Sequence, residues 1–550
     1  MNPSIRKDVP FRGLVTTLYL ASLVGTLQSA TLDLTTATIA DLQAAFRAGL
    51  TAEKLTAAYL SRIEAYDKKG PAINSVITLN PRALDEARAR DSERRAGKVR
   101  GPLHGIPVAL KDNIDTVDLA TTGGSQLLEG SLPPDDAFIV RRLRAAGAIV
   151  IAKVNLSEWA GSGGSATGAP TNVAKAARVP NGFSSAGGQT LNPHDLTRGP
   201  AGSSGGTGAA LAAGFAQFGI GTDTGGSIRG PSSANGIVGI KPTRGLMSRD
   251  GIIPLGLSFD TAGPMARSVH DVAASLGAMT GVDAADPATS ASRGKFHRDY
   301  TRFLKTGSLR GARLGVLRDF MGQDAETDRV VEAAIVRLKG LGAVIIDPIR
   351  YPEHLRKGRQ DLYNLVVRAE FKADLTTYLK TTRPGFPKSF DEVVTLSNDP
   401  ATGYRSPGKA VGLKWSAAPE VSFEVSDPVY LATRDQMLPA VRAAIDAVLA
   451  KHRLDAVIYP TAPRPAQLIH PMDEAARGES ATSFANFTGY PDVIVPAGMT
   501  RDGLPVTLSF FGTAWSEPKL LGYAYDFEQA TLARVLPRHT PALASDILTY

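Results

Sequence analysis

The sequence predicts an α/β fold organised as a single large domain, and three observations carry that expectation. Strand-like apolar runs alternate with amphipathic helical stretches along most of the chain. No internal repeat and no clear linker divides it, and 43% hydrophobic residues over 550 positions supply material for a large core. A length prior of roughly 150 residues per domain favours three or four units. The missing linkers outweigh that prior.

The amino terminus is read first. Arg6, Lys7 and Arg12 precede a mostly apolar run from Gly13 to Leu27, and small residues follow at Ser29 and Ala30. That basic, apolar, small order predicts a secretory signal peptide over residues 1–30, and hence a periplasmic or secreted protein with its folded domain at 31–550. The run is shorter than the roughly 18 to 20 apolar residues of a spanning helix, and Thr16, Thr17 and Ser22 dilute it, so no stable membrane insertion is expected.

Helical patterns follow at 40–49, at 52–68 with Thr51 as N-cap, and at 81–95. Ile106, Val108 and Leu110 alternate with Pro107, Ala109 and Lys111, the period of a strand that ends on Lys111. An amphipathic stretch at 136–146 leads through Gly147 into an apolar strand at 148–152. Between Gly161 and Gly245 lie 21 of the 55 glycines, a density that suggests a flexible linker, but apolar runs at 209–215, 218–220 and 237–240 predict folded structure with close backbone approaches. Further on come an αβ unit at 328–346, a variable charged region at 351–426, one long helix at 431–452 and a strand at 456–459. Strands at 493–495 and 504–510 and a helix at 518–533 close the chain.

Composition excludes several chemistries. With no cysteine there is no disulfide framework, thiolate metal site or cysteine nucleophile. The eight histidines are scattered without metal-ligand spacing, and neither a P-loop nor a dinucleotide fingerprint is present, so no metal and no cofactor are expected. The net charge of +8 is spread along the chain, and runs such as 88–100 read as solvated helix faces, so nucleic acid is not an expected partner.

Two apparent motifs are set aside. Gly202-Ser203-Ser204-Gly205-Gly206 matches G-x-S-x-G with Ser204 as nucleophile, but turn residues at 197–201 stand where that elbow needs a strand. Ser516-Glu517-Pro518-Lys519 and Lys305-Thr306-Gly307 resemble penicillin-binding fragments in reversed order, with Pro518 interrupting the first.

A coherent constellation remains: Lys111 in Pro107-Val108-Ala109-Leu110-Lys111-Asp112-Asn113, the serine pair Ser203-Ser204 among glycines, and Gly221-Thr222-Asp223-Thr224-Gly225-Gly226-Ser227-Ile228-Arg229-Gly230-Pro231. In these motifs the chain resembles the amidase signature family, which hydrolyses carboxamides with a Ser–cis-Ser–Lys triad. The two serine motifs occur in the family's order, and Ser203 lies 24 residues before Ser227, the family's spacing. The resemblance implies one domain around a large, mixed, twisted central sheet covered by helices. It implies Ser227 as nucleophile, Ser203 as bridging serine, Lys111 as base, and the backbone N–H groups of Thr224, Gly225, Gly226 and Ser227 as the oxyanion hole. A lysine desolvated under glycine-rich backbone has a lowered pKa, which suits it to accept a proton and favours neutral to alkaline activity.

Asp223 and Arg229 are expected to hold the loop by hydrogen bonds, His104 to be a turn residue, and Ser204 a loop or helix-entry residue. Gly187 to Pro193 and Ser248 to Pro254 resemble the bacterial peptide amidases of the family, whereas the nucleophile loop has the general family form. The expected substrate is therefore a small-molecule or peptide amide, with C-terminally amidated peptides foremost and aryl, aliphatic or fatty amides as the alternative. The 351–426 region and the loop near Asn181 are expected to set the choice, and Tyr363, Tyr378 and Phe386 are either pocket or core residues. The competing functions are the amidase component of a tRNA-dependent amidotransferase and a catalytically silent binding protein. A monomer or homodimer is expected.

Overall fold

Eleven strands assemble into one mixed sheet in the computed structural model, which describes residues 30–470 and 478–550. The export segment expected at 1–30 lies, but for Ala30, outside the described residues. In chain order the strands are β1 (Thr31–Asp33), β2 (Val76–Leu79), β3 (Pro107–Lys111), β4 (Ile149–Val154), β5 (Phe183–Ser184), β6 (Gly188–Gln189), β7 (Phe218–Asp223) and β8 (Val238–Lys241). They continue as β9 (Thr261–Ala266), β10 (Arg313–Leu317), β11 (Val344–Ile349), β12 (Ala456–Pro460), β13 (Asp492–Met499), β14 (Pro505–Phe511) and β15 (Ile547–Thr549). The main sheet runs β11-β10-β12-β14-β13-β8-β9-β7-β3-β4-β2, while β1 pairs with β15 and β5 with β6.

Parallel pairing is confined to β11-β10-β12 at one end and β4-β3-β7 near the other, with antiparallel strands between them. The sheet is covered on both faces, as β12 shows. Ala456 and Ile458 pack against the helices Ala325–Gly340 and Glu517–Thr531, whereas Val457 and Tyr459 pack toward Glu353–Leu379 and Leu438–His452. That division follows from the two-residue side-chain period of a strand.

Several sequence expectations hold and several need correction. Thr51 caps the helix Ala52–Tyr66 by accepting the Lys54 N–H at 3.1 Å. Lys111 does end a strand, but β3 is buried along its whole length rather than on alternate residues, because helices cover both faces of a largely parallel segment. Strands β2, β9 and β10 and the helix Val269–Met279 escape the sequence reading. In β9, Gly263 and Pro264 mask the strand pattern.

The charged 351–426 region contains the helices Glu353–Leu379, Phe390–Asn398 and Pro407–Ser416. The single helix expected at 431–452 is divided into Pro428–Ala432, a π-helical turn Thr433–Met437 and Leu438–His452. Pro439 in the first turn of the last piece lacks the N–H that a continuous α-helix would need there.

Candidate active site

Three adjacent segments bring the site together. Strands β3 and β7 lie side by side in parallel register, with Leu110 opposite Ile220, so the end of β3 reaches the end of β7. The loop before the helix Gly205–Ala212 folds over both. Gly206 lets the start of that helix pack on the turn after β4, since a Cβ there would lie 2.5 Å from the Asn155 backbone nitrogen.

Lys111 is fully buried, and its Nζ lies 2.7 Å from Ser203 Oγ and 2.7 Å from Thr222 Oγ1, with Thr222 O at 3.5 Å. Burial pulls its pKa from the ordinary 10.5 down to about 7, against the upward pull of Asp223 and Asp260. The Gly202–Ser203 peptide bond is cis. Backbone bonds hold the loop: Ser203 O accepts from the Ser157 N–H at 2.9 Å, and the Ser204 N–H donates to Ser227 O at 3.1 Å. Ser204 stands at the helix entry, its Oγ donating to Thr222 O at 3.2 Å, and no strand precedes it.

Ser227 lies in the turn between β7 and the helix Arg229–Ala234. Asp223 organises that turn by accepting the N–H groups of Gly226 and Ile228, each at 2.9 Å, and the Arg229 guanidinium at 2.9 and 3.1 Å. Burial alone would raise the Asp223 pKa, but the Arg229 charge outweighs it and holds the carboxyl well below its ordinary range. Arg229 also reaches Asp492 at 3.1 Å and Asn486 at 2.6 Å, so the structural role expected of Asp223 and Arg229 is what their contacts describe.

The expected oxyanion donors are not equivalent. The Gly226 N–H is engaged by Asp223. Those of Thr224, Gly225 and Ser227 have no acceptor among the described residues.

Ser203, Ser227 and Gly225 line one cavity of about 670 Å³, inside the roughly 300–1,000 Å³ typical of small-molecule sites. Asn181 and Tyr363 line it too. Tyr363 stacks on Phe259 with ring centroids 5.8 Å apart and donates to Ser162 Oγ at 3.3 Å. Tyr378 instead donates to Asp115 Oδ1 at 2.8 Å, and Phe386 packs against the core. His104 is buried in a turn under the helix Ala83–Arg95, with Nε2 2.9 Å from Arg90 O. Among the described residues no group of three or more His, Asp or Glu is placed to hold a metal, and no helix is long and apolar enough to cross a membrane.

Sequence reading missed Thr222, Asn113 and Asp260. Thr222 Oγ1 accepts from both Lys111 and Asn113 Nδ2, the latter at 3.1 Å, and it lies in the same motif as Ser227. Asp260 accepts the Thr224 hydroxyl and the N–H groups of Leu255 and Gly256, and no motif marks it.

A family model described as Amidase matches residues 54–521. A probable amidase of Arabidopsis thaliana is 34% identical over 517 residues, covering 93% of each chain. A glutamyl-tRNA(Gln) amidotransferase component from a Synechococcus strain is 36% identical over 490 residues, covering 88% of this chain and 89% of its own. Among solved structures, the native peptide amidase of Stenotrophomonas maltophilia superposes with a TM-score of 0.83 at 43% identity, over 92% of this chain and 99% of its own. With motifs, single-domain mixed sheet and comparisons in agreement, the chain belongs to the amidase signature family and is an amide-hydrolysing enzyme.

Proposed function

We propose that the chain hydrolyses the terminal carboxamide of amidated peptides through an acyl-enzyme on Ser227, with Ser203 as proton relay and Lys111 as base. The observation that carries this reading is a buried Lys111 Nζ 2.7 Å from Ser203 Oγ, with a pKa drawn to about 7. A neutral amine has two N–H bonds and one lone pair. Thr222 offers acceptors for the N–H groups, which leaves the lone pair for the Ser203 proton.

Ser227 Oγ attacks the amide carbon as its proton moves to Ser203 Oγ and the Ser203 proton moves to Lys111 Nζ. The N–H groups of Thr224, Gly225 and Ser227, none engaged by another group among the described residues, are the donors for the developing oxyanion. The C–N bond then breaks, the relay returns the proton to nitrogen, and ammonia leaves. Water attacks the ester through the same relay, giving the free acid and restoring Ser227.

Similarity to the peptide amidase at 43% identity supports the peptide-amide substrate. Similarity to the amidotransferase component, at 36% identity, keeps an ammonia-transferring role as the second reading. The order of charge and apolarity over 1–30 supports export, which amino-terminal sequencing of the mature protein tests. The deciding experiment measures ammonia release from a C-terminally amidated peptide, with the peptide followed by mass, for wild type and Ser227→Ala. Release by wild type alone, with internal peptide bonds intact, is expected. Comparable release by Ser227→Ala would remove Ser227 from the nucleophile role.

A further inference from the structure

One wall of the cavity is a face of the helix Glu353–Leu379. Residues 360, 363, 364, 367, 368 and 371 all line it, at the three- and four-residue spacing of a single helical face. Charge on this lining is one-sided among the described residues. The one carboxylate among the described lining residues, Glu158, is occupied by the Ser185 N–H and hydroxyl at 2.9 and 2.8 Å and by Tyr404.

Among the cations, Lys372 pairs with Glu424 at 2.7 Å and Arg359 with Glu479 at 3.1 Å. Lys409 donates to the carbonyls of Gly161 and Gly163, both at 2.9 Å. Arg178 is exposed at the rim. Arg368 differs from all of them: it is half-buried, its contact is one guanidinium N–H to Thr167 O, and no carboxylate pairs with it among the described residues. Burial correspondingly pulls its pKa down with no acidic neighbour opposing the shift. A guanidinium with free N–H groups in a shielded cleft is suited to a carboxylate, which it can grip with two parallel hydrogen bonds.

We propose that Arg368 forms a carboxylate-recognising subsite, so that the favoured substrates are amides whose acyl side carries a carboxylate about two peptide units from the scissile carbonyl. The spacing comes from the helix. Tyr363 closes on the loop of Ser227, since a Cβ on Gly225 would lie 2.9 Å from its ring. Arg368 follows five residues later, about 7.5 Å along the axis, and an extended peptide covers about 3.3 to 3.6 Å per residue. The inference rests on the peptide-amide reading of this site.

The test compares Ac-Glu-Ala-Leu-NH2 with its isosteric Gln counterpart and a Lys counterpart. Turnover is measured with wild type, and affinity by calorimetry with Ser227→Ala, which keeps the peptides intact. Wild type is expected to favour Glu over Gln roughly tenfold in kcat/KM, the scale of a charge-assisted hydrogen bond that is partly screened. The Kd ratio on Ser227→Ala should match. Arg368→Gln should level the two, Arg368→Glu should favour the Lys peptide, and Arg368→Lys should keep part of the preference. Equal binding of the Glu and Gln peptides, binding of neither, or a Glu preference that survives in Arg368→Gln would overturn the subsite. Failure of the peptide-amide reading looks different: no ammonia from any peptide, while calorimetry still separates Glu from Gln.

Discussion

Lys111 and Thr222 stand on neighbouring parallel strands with Nζ and Oγ1 2.7 Å apart, so the buried amine has a fixed acceptor in addition to Ser203. The threonine hydroxyl also accepts from Asn113 Nδ2 at 3.1 Å, which ties its orientation to the turn after β3. An amine held this way has a defined direction for its lone pair, and direction is what a proton relay requires.

Replacement of Thr222 by Val keeps the side-chain shape and removes that acceptor. The expected result is a fall of about 10- to 100-fold in kcat, the rate equivalent of one lost hydrogen bond to an ionisable partner, with KM nearly unchanged. Thr222→Ser should recover most of the loss. Steady-state kinetics of the three proteins, with circular dichroism to verify folding, make the comparison.

The pH profile follows from the sign of the Lys111 shift. Lys111 acts as base only when neutral, and burial places its pKa at about 7, so kcat/KM should rise through about pH 7 and level above it. Asp223 and Asp260 both pull that value upward. Asp260→Asn should therefore move the rising limb toward lower pH, which a pH series of kcat/KM reads directly.

The same burial costs stability. The unfolded lysine takes up a proton near its ordinary 10.5 and the folded one only near 7, so between these values the unfolded state binds more protons and stability rises with pH. Lys111→Met, which carries no charge in either state, should gain on wild type as the pH falls from about 10 to 7 and keep a constant difference below that. The change amounts to a few kcal/mol by linkage. Thermal melts of both proteins across that range test it, and the variant is expected to be inactive.

Gly225 lies close to Tyr363, whose ring is backed by Phe259. Gly225→Ala should displace the loop that carries the free N–H groups and lower kcat by about tenfold or more, toward the loss seen when an oxyanion donor is removed. Trimming the obstacle should help. The double variant Gly225→Ala with Tyr363→Ala is expected to be faster than Gly225→Ala alone, and kinetics of the full cycle show whether the two positions couple.

Much of this was legible in the chain because it is local. The strand ending on Lys111, the Thr51 cap and the turn chemistry around Ser203 and Ser227 depend on residues within a few positions of one another. Strand β9 is hidden because Gly263 and Pro264 are held there by pairing with β7, a contact no local pattern encodes. The 353–379 helix is hard to read from the sequence because the face that lines the cavity mixes polar residues such as Gln360, Asn364 and Arg368 with Tyr363, Val367 and Phe371.

By itself the sequence determined the family, the single α/β domain, the serine and lysine motifs and their order along the chain. Only the tertiary structure decided what surrounds them: Thr222 against Lys111, Asp223 occupying the Gly226 N–H, Asp260 behind Thr224, and Arg368 left without a carboxylate partner among the described residues. The reason is electrostatic and geometric. A pKa, a free N–H and an unpaired charge are properties of an environment assembled from residues far apart in the chain, and desolvation is set by packing that spacing alone does not specify.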